Sequence, residues 1–423
     1  MDFGLVTFSA WYLRKTILLL CFIFSSHGLF SQVHHISTLK KRVLPLKKNS
    51  FKKKIRRKRK RRIIIKRPVI RKRRFRGISS SSLGLSKVHV PVEFTKTYSK
   101  FFGVPYLPEQ GKISPVKIWV EENTKPFTEL IISWNALRPI QGSFVFKGSV
   151  KTINGWGPWY KFAEWKKDSQ LTFFNSRATD VHVKSVRLEV QRNMLGHGFR
   201  VMVEAKDGAD ISNIHALFGC VSDLRQYKMN HGIAALPSVI LKDVPRQSQM
   251  VLDHPRSKDL CCPTSMAMIV RYFNTKYDGV VSKPLHQEAV DFADLAHDHG
   301  ADVYGSWPLN IAQAYEAAKG RVFFRAERLN SFKDLHEYLN KKIPVSVSVR
   351  GLLRGGAKTY NSGHYMVVVG WNADKQTILC IDPAFGASKR TLRAYDARHF
   401  LAAWSRSRNL SYISLPRQDF GEF

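Results

Sequence analysis

Cysteine is scarce in this chain, with five residues in 423. Removal of an N-terminal leader carrying Cys21 would leave Cys220, Cys261, Cys262 and Cys380. So few in so long a chain exclude a disulfide scaffold, and one close pair matches no zinc-ligand spacing, so no metal and no other cofactor is expected. Long apolar runs are lacking too. The N-terminal stretch "TILLLCFIF" spans about nine residues, well short of a membrane helix. With Arg14-Lys15 before it and "SSHG" after it, residues 1–31 read as an export signal cut near Ser26-His27-Gly28, with an uncleaved anchor as the alternative. Acidic residues are absent from Lys40 to Arg76, a stretch that holds 22 Lys and Arg. Residues 32–87 therefore read as a solvated basic arm ending in the Ser/Gly hinge "GISSSSLGLS". The arm suits either a spacer or an acidic partner: an anionic envelope polymer, a lipid surface or nucleic acid. It lacks the interleaved aromatics that base stacking needs.

What is present is enough to fold. Hydrophobic residues make up 44% and aromatics 12% of the chain, which supplies sizeable cores. Of the formal net charge of +37, the stretch from Lys40 to Arg76 carries 22, so the remainder is only moderately basic. Two folded regions are expected. Residues 88–235 carry short β-rich runs, "ELIISWNAL", "GSFVFKGSVKTI", "HVKSVRLEVQ" and "FRVMVEAK", separated by turn residues, which predicts an all-β sandwich-like domain. Its cluster "GWGPWYKFAEW" fits a sandwich core better than a carbohydrate platform. Residues 236–423 place helices first and strands second, which predicts an α+β domain. Ser306, Pro308 and Gly320 punctuate one helix there, and Ser331 with Asp334 forms a capping-box-like start to another.

The stretch "DLCCPTSMAMIVRYF" puts two cysteines at a helix start. Met266, Ile269, Val270 and Phe273 recur at helical spacing, and one turn back that stripe reaches Cys262. Cys262 is thus a core residue. Cys261 lies about 100° or more around the axis, in the first turn, where free N–H groups and the helix dipole favour a thiolate. Cys261 is the nucleophile candidate, with a vicinal disulfide as the other reading. A thiolate needs an imidazole, and the imidazole an orienter. In "NSGHYMVVVGWNADKQTILCIDPAFG" a hairpin turning within Asn372 to Lys375 brings His364 opposite Asp382, with Cβ atoms about 5 Å apart. A His–Asp bond that merely stitches a hairpin end is the structural alternative. Gly363 leaves space beside the ring. His297 and His299 fall at a poor spacing for one metal on a helix, and His286 and His336 read as exposed helical positions.

With these residues assembled, the region from about Leu236 to Leu415 resembles papain-fold cysteine peptidases of the bacteriocin-processing, double-glycine-leader type. The resemblance rests on "VPRQSQ", "CCPTSMAMIVRYF", "GHYMVVVGW" and "IDPAFG", four motifs in order. Bacteriocin-processing members carry Cys-Gly where this chain has Cys261-Cys262, which turns the resemblance toward looser secreted bacterial relatives. It implies a papain-like fold and hydrolysis of an amide bond in a peptide or protein substrate through a Cys thioester. Cys261 would be the nucleophile, His364 the base and then the acid, and Asp382 the orienter. Gln249 would join the Cys261 backbone N–H in the oxyanion hole. The expectation is an exported, multidomain thiol peptidase with no obligate oligomer. Its rivals are a catalytically idle peptide-binding module and a tether acting through the basic arm. Cys380 lies on the strand face of Asp382 and is given no role.

Overall fold

The computed structural model describes residues 93–417, apart from 104–113, 176–179, 185, 192, 230–232, 234, 280 and 282. The export signal with Cys21, the basic arm and the hinge lie outside the described residues. Among those described, three antiparallel sheets and five α-helices account for the architecture, and no helix is long and apolar enough to cross a membrane.

The first sheet orders its strands Thr95–Phe101, Ile214–Ser222, Glu129–Ala136, Arg187–Val190, Val181–Lys184 and Phe174–Asn175. The second orders Val116–Glu121, Gly198–Lys206, Ser143–Thr152, Tyr160–Lys166 and Gln170–Thr172. "HVKSVRLEVQ", read as one run in the sequence, is a hairpin of two strands. The two sheets share one core: Trp134 stacks on Phe146 at 3.9 Å and meets Trp165 edge-on.

Strand Glu129–Ala136 is buried at every position. A sheet face exposed to water would instead show alternation. The reason is a third layer. Leu130, Ile132 and Trp134 point to the second sheet, while Ile131, Ser133 and Asn135 point to the C-terminal part of the chain. There the edge strand Val322–Arg328 finds its hydrogen bonds on side chains. Asn135 donates to the Phe324 carbonyl at 2.6 Å and accepts from the Phe324 N–H at 2.7 Å. The Ala326 N–H reaches Ser133 Oγ at 3.3 Å, and the Arg328 N–H reaches Cys220 Sγ at 3.4 Å. An open sheet edge is a hazard for aggregation, and the neighbouring layer closes this one.

The third sheet runs Val322–Arg328, Leu410–Pro416, Val345–Gly351, Tyr360–Asn372, Thr377–Ile381 and Leu392–Asp396, and the short strand Val239–Ile240 pairs with Tyr360–Asn372. Three helices precede most of it: α1 (Cys261–Asp278), α2 (Leu285–Ala296) and α3 (Trp307–Ala317). α4 (Phe332–Asn340) carries the full Ser331/Asp334 capping box. α5 (Ala397–Ser405) starts at Asp396, whose carboxylate accepts from the Arg398 and His399 N–H groups. α1 ends where Gly279 adopts φ +64°, a left-handed cap suited to glycine. The apolar stripe of α1 is buried as its spacing predicts, but so is every residue from Cys262 to Val270. α1 is therefore a central helix packed all round rather than a surface one. The strand Leu392–Asp396 and α5 were not anticipated.

Candidate active site

α1 begins at Cys261. The N–H groups of a first helical turn have no intrahelical partner, so the sulfur sits at the positive end of the helix. Cys261 is partly exposed, whereas Cys262 is fully buried, with its thiol 3.7 Å from the Tyr412 hydroxyl. Burial pushes the Cys262 thiol well above its ordinary range. Burial also pushes the Cys261 thiol up, but a hydrogen bond and the charge of His364 outweigh it, and the net shift is downward. Both thiols are free, as are Cys220 and Cys380, so the vicinal pair is not bridged. One cysteine is activated and its neighbour is inert.

His364 is buried between Gly363 and Tyr365, with its Nε2 2.7 Å from Asp382 Oδ1. That leaves Nδ1 as the ring atom that serves the sulfur. Burial alone would lower the imidazole's pKa, yet the Asp382 carboxylate and the Cys261 sulfur raise it to about 9. Each group favours the charged form of the other: the sulfur raises the imidazole's pKa, and the imidazole lowers the thiol's. Gly363 has φ +93°, which disfavours any side chain there, and the space a Cβ would occupy is open.

The hairpin register differs from the sequence expectation. Val367 pairs with Ile381 and Val368 with Cys380, with a bulge before Gly370 and Leu379. His364 and Asp382 are therefore not directly opposed. Asp382 lies just past its strand, offset along the ladder, and its side chain crosses the diagonal to the ring. The contact is present although the pairing behind it is not the one spacing suggested. A bulge adds a residue to one strand, which symmetric counting about a turn does not anticipate.

Two residues of the site escaped sequence reading. Asp382 Oδ2 accepts from the Tyr360 hydroxyl at 2.8 Å and from the Tyr395 hydroxyl at 2.7 Å, while Oδ1 also accepts from the Ala384 N–H at 3.0 Å. Burial raises the Asp382 carboxyl's pKa, but His364 and these donors bring it below the usual carboxylate range. Burial and the carboxylate together push both phenols up. The Tyr360 ring also stacks on the His364 ring, centroids 4.1 Å apart and planes 11° apart. Tyr360 thus fixes the acid with its hydroxyl and the base with its face. Tyr395 comes from the unanticipated strand; Tyr360, four residues before His364, offered no motif.

Gln249 is buried beside the turn leading into Cys261. Its Nε2 donates to the carbonyls of Ser257 at 3.0 Å and Lys258 at 2.8 Å, and its Oε1 has no partner. In this geometry Gln249 braces the turn, and oxyanion donation requires one of those bonds to open. Three further histidines differ from their sequence reading. His336 is buried rather than exposed, hydrogen-bonded to the Pro237 carbonyl at 2.7 Å. His297 and His299 lie just past α2 rather than on it, and among the described residues no cluster suits a metal ion. The aromatic cluster of the second sheet divides: Trp165 is core, while Trp156 and Trp159 are half-buried around Arg200 at 4.8 and 4.4 Å.

A thiolate at a helix start, an imidazolium from a strand and a carboxylate behind it define a papain-type thiol site on a helix-then-sheet scaffold. Residues 241–412 match the Peptidase_C39 like family, which supports a papain-fold peptidase domain of that type over this stretch. Among solved structures, the chain is similar to a protein of Bacillus anthracis described as a C39-like peptidase, at 16% identity, over 43% of this chain and 99% of that one, with a TM-score of 0.31. It is also similar to xylellain, a cysteine protease from Xylella fastidiosa, at 11% identity, over 45% of this chain and 90% of that one, with a TM-score of 0.26. No curated protein matches the chain.

Proposed function

We propose that this protein is an exported cysteine peptidase that hydrolyses a peptide bond through a thioester on Cys261. The observation that carries the reading is the arrangement from the α1 start to the buried acid: Cys261 opens the helix with its thiol pKa lowered by the neighbouring His364, and His364 is held to Asp382 at 2.7 Å. In the first half-reaction the sulfur adds to the scissile carbonyl carbon. The C–N bond then breaks as His364 gives its proton to the departing amine. In the second, His364 takes a proton from water, the hydroxide displaces the sulfur, and the carboxylic product leaves a regenerated thiolate. Asp382 holds the ring in place throughout and stabilises its positive charge whenever it is protonated. The oxyanion would rest on the Cys261 backbone N–H, with Gln249 as second donor once it releases a carbonyl.

The test is labelling of purified protein with a thiol-directed, peptide-like electrophile. Cys261→Ala is expected to take up no label, while Cys262→Ala stays reactive at the cost of about 1 kcal/mol of packing. Equal labelling of the two variants would overturn the assignment, and an unreactive wild-type protein would leave a peptide-binding module. In this reading the two N-terminal sheets form a β-sandwich accessory domain, and Lys40 to Arg76 holds the protein at an anionic surface. Retention on such a surface is expected to fade steeply with salt and to vanish when that segment is deleted.

A further inference from the structure

Cys261 opens into a cavity of about 750 Å³ whose walls come from both folded regions. The peptidase domain gives Tyr365, Gly363 and Trp307; the first sheet and the segment after it give Glu129, Arg187, Glu189 and Leu224. Its charge is lopsided, with eight Arg or Lys against three carboxylates. All three carboxylates are already paired. Glu129 is held by Arg328 at 2.6 Å and by Arg187 at 3.2 Å, Glu189 by Arg187 at 2.7 Å, and Asp259 by Arg256 at 3.2 Å. Lys258, Arg350, Lys358, Arg406 and Arg408 line the same space with no ion pair to a described residue.

Two of these cations are held in place without being neutralised. Arg350 donates through Nε to the Asn361 carbonyl at 3.0 Å. Arg406 donates to the carbonyls of Arg350 at 3.1 Å and Leu352 at 3.0 Å. The turn after α5 is held by Arg328, which donates through Nη1 to the Ser407 and Arg408 carbonyls at 2.6 and 3.0 Å while it binds Glu129 of the first sheet. Arg408 sits in that turn at φ +54°, an uncommon conformation for arginine. Like charges gathered in a concave site raise the local potential and attract the opposite charge, although each of these side chains keeps contact with solvent. Fixed by backbone carbonyls, they lose little further freedom on binding.

Building on the peptidase reading, we infer that the cleft selects an acidic peptide segment, with Arg350, Arg406 and Arg408 as specificity-determining residues. The N-terminal sheets supply one wall of that cleft. The test uses paired peptides that differ only by Glu against Gln at positions flanking the scissile bond, measured at low and high salt. Wild-type protein is expected to favour the Glu member by about tenfold in kcat/KM at low salt, a preference that shrinks as salt rises. Arg406→Gln and Arg408→Gln, both at exposed positions, are each expected to reduce that preference by about two- to fivefold, and the double variant to erase most of it. Equal use of the Glu and Gln peptides, or an undiminished preference in the double variant, would overturn the inference. Peptide binding to Cys261→Ala protein, read by fluorescence anisotropy, separates it from the catalytic reading. Preferential binding of acidic peptides without turnover by wild type would retain the specificity and discard the peptidase, whereas turnover without preference would do the reverse.

Discussion

At the scale of single residues, the site depends on charge held in a buried place. His364 is protonated up to about 9 because Asp382 and the sulfur stabilise its cation, and that proton is lost as pH rises through this value. The Cys261 thiolate, favoured by His364, is lost as pH falls through its lowered pKa. The working pair exists between the two, so kcat/KM against pH is expected to be bell-shaped, with an alkaline limb near 9. Asp382→Asn removes the charge that sustains the imidazolium. Its alkaline limb is expected to move to lower pH, with a loss of about 100-fold or more in kcat/KM. Tyr360→Phe keeps the ring stack, deletes the donor to Asp382 and removes the hydroxyl that accepts from the Ala357 N–H at 3.1 Å. A carboxylate with one donor fewer is more basic and pulls harder on the imidazolium, so the limb should stay or move upward, with stability lowered by about 1–3 kcal/mol. A downward shift in Tyr360→Phe would contradict this account of the acid. The pH profile and a denaturation curve, taken on the same samples, decide it.

At the scale of elements, the parts best read from sequence are those with a local signature. The α1 start, the apolar stripe back to Cys262, the capping box of α4 and the strands "VFFRAERL" and "HYMVVVGW" are each encoded by neighbours in the chain. The relation of His364 to Asp382 was legible only as adjacency. The bulge at Val368–Gly370 altered the register, and the carboxylate's reach absorbed the difference. Tyr395 and the strand Leu392–Asp396 were illegible because their role comes from pairing with Thr377–Ile381, which no periodicity announces. Asp396 before "ARHFLAAW" has the residue type of a helix N-cap, but it follows directly on a strand that carries no periodic signal of its own. Gln249 makes an element-level prediction. If it braces the Ser257–Asp259 turn, Gln249→Glu, which opposes a carboxylate to two carbonyls, should unsettle the start of α1. Its loss of activity should then come with a drop in melting temperature. A loss of activity at unchanged stability would assign Gln249 to the oxyanion alone.

At the scale of the whole molecule, the burial of Glu129–Ala136 on both faces could not be foreseen from a strand that reads simply as apolar. It follows from three layers sharing one middle sheet, and the described residues fall within a single compact unit. The Arg328–Glu129 pair is the most buried ionic link between the first sheet and the peptidase domain, with both side chains at 5% exposure or less. Arg328→Met would leave Glu129 with Arg187 alone and free the turn at Ser407, which is expected to cost about 3–5 kcal/mol. Chemical denaturation followed by tryptophan fluorescence measures it. A fragment beginning near Leu236 would bare the Val322–Arg328 edge together with the Phe323 ring that packs on Phe101, so it is expected to aggregate rather than fold alone.

The strand Arg187–Val190 has a further consequence. It delivers side chains to the mouth of a reaction centre from a layer that holds none of the reacting atoms. On the proposed reading of the cleft, recognition would be rewritten by changes in that outer layer while the sulfur, the ring and their carboxylate stay untouched. Grafting a differently charged hairpin at Val181–Val190 would be the direct way to redirect the enzyme toward another class of cargo.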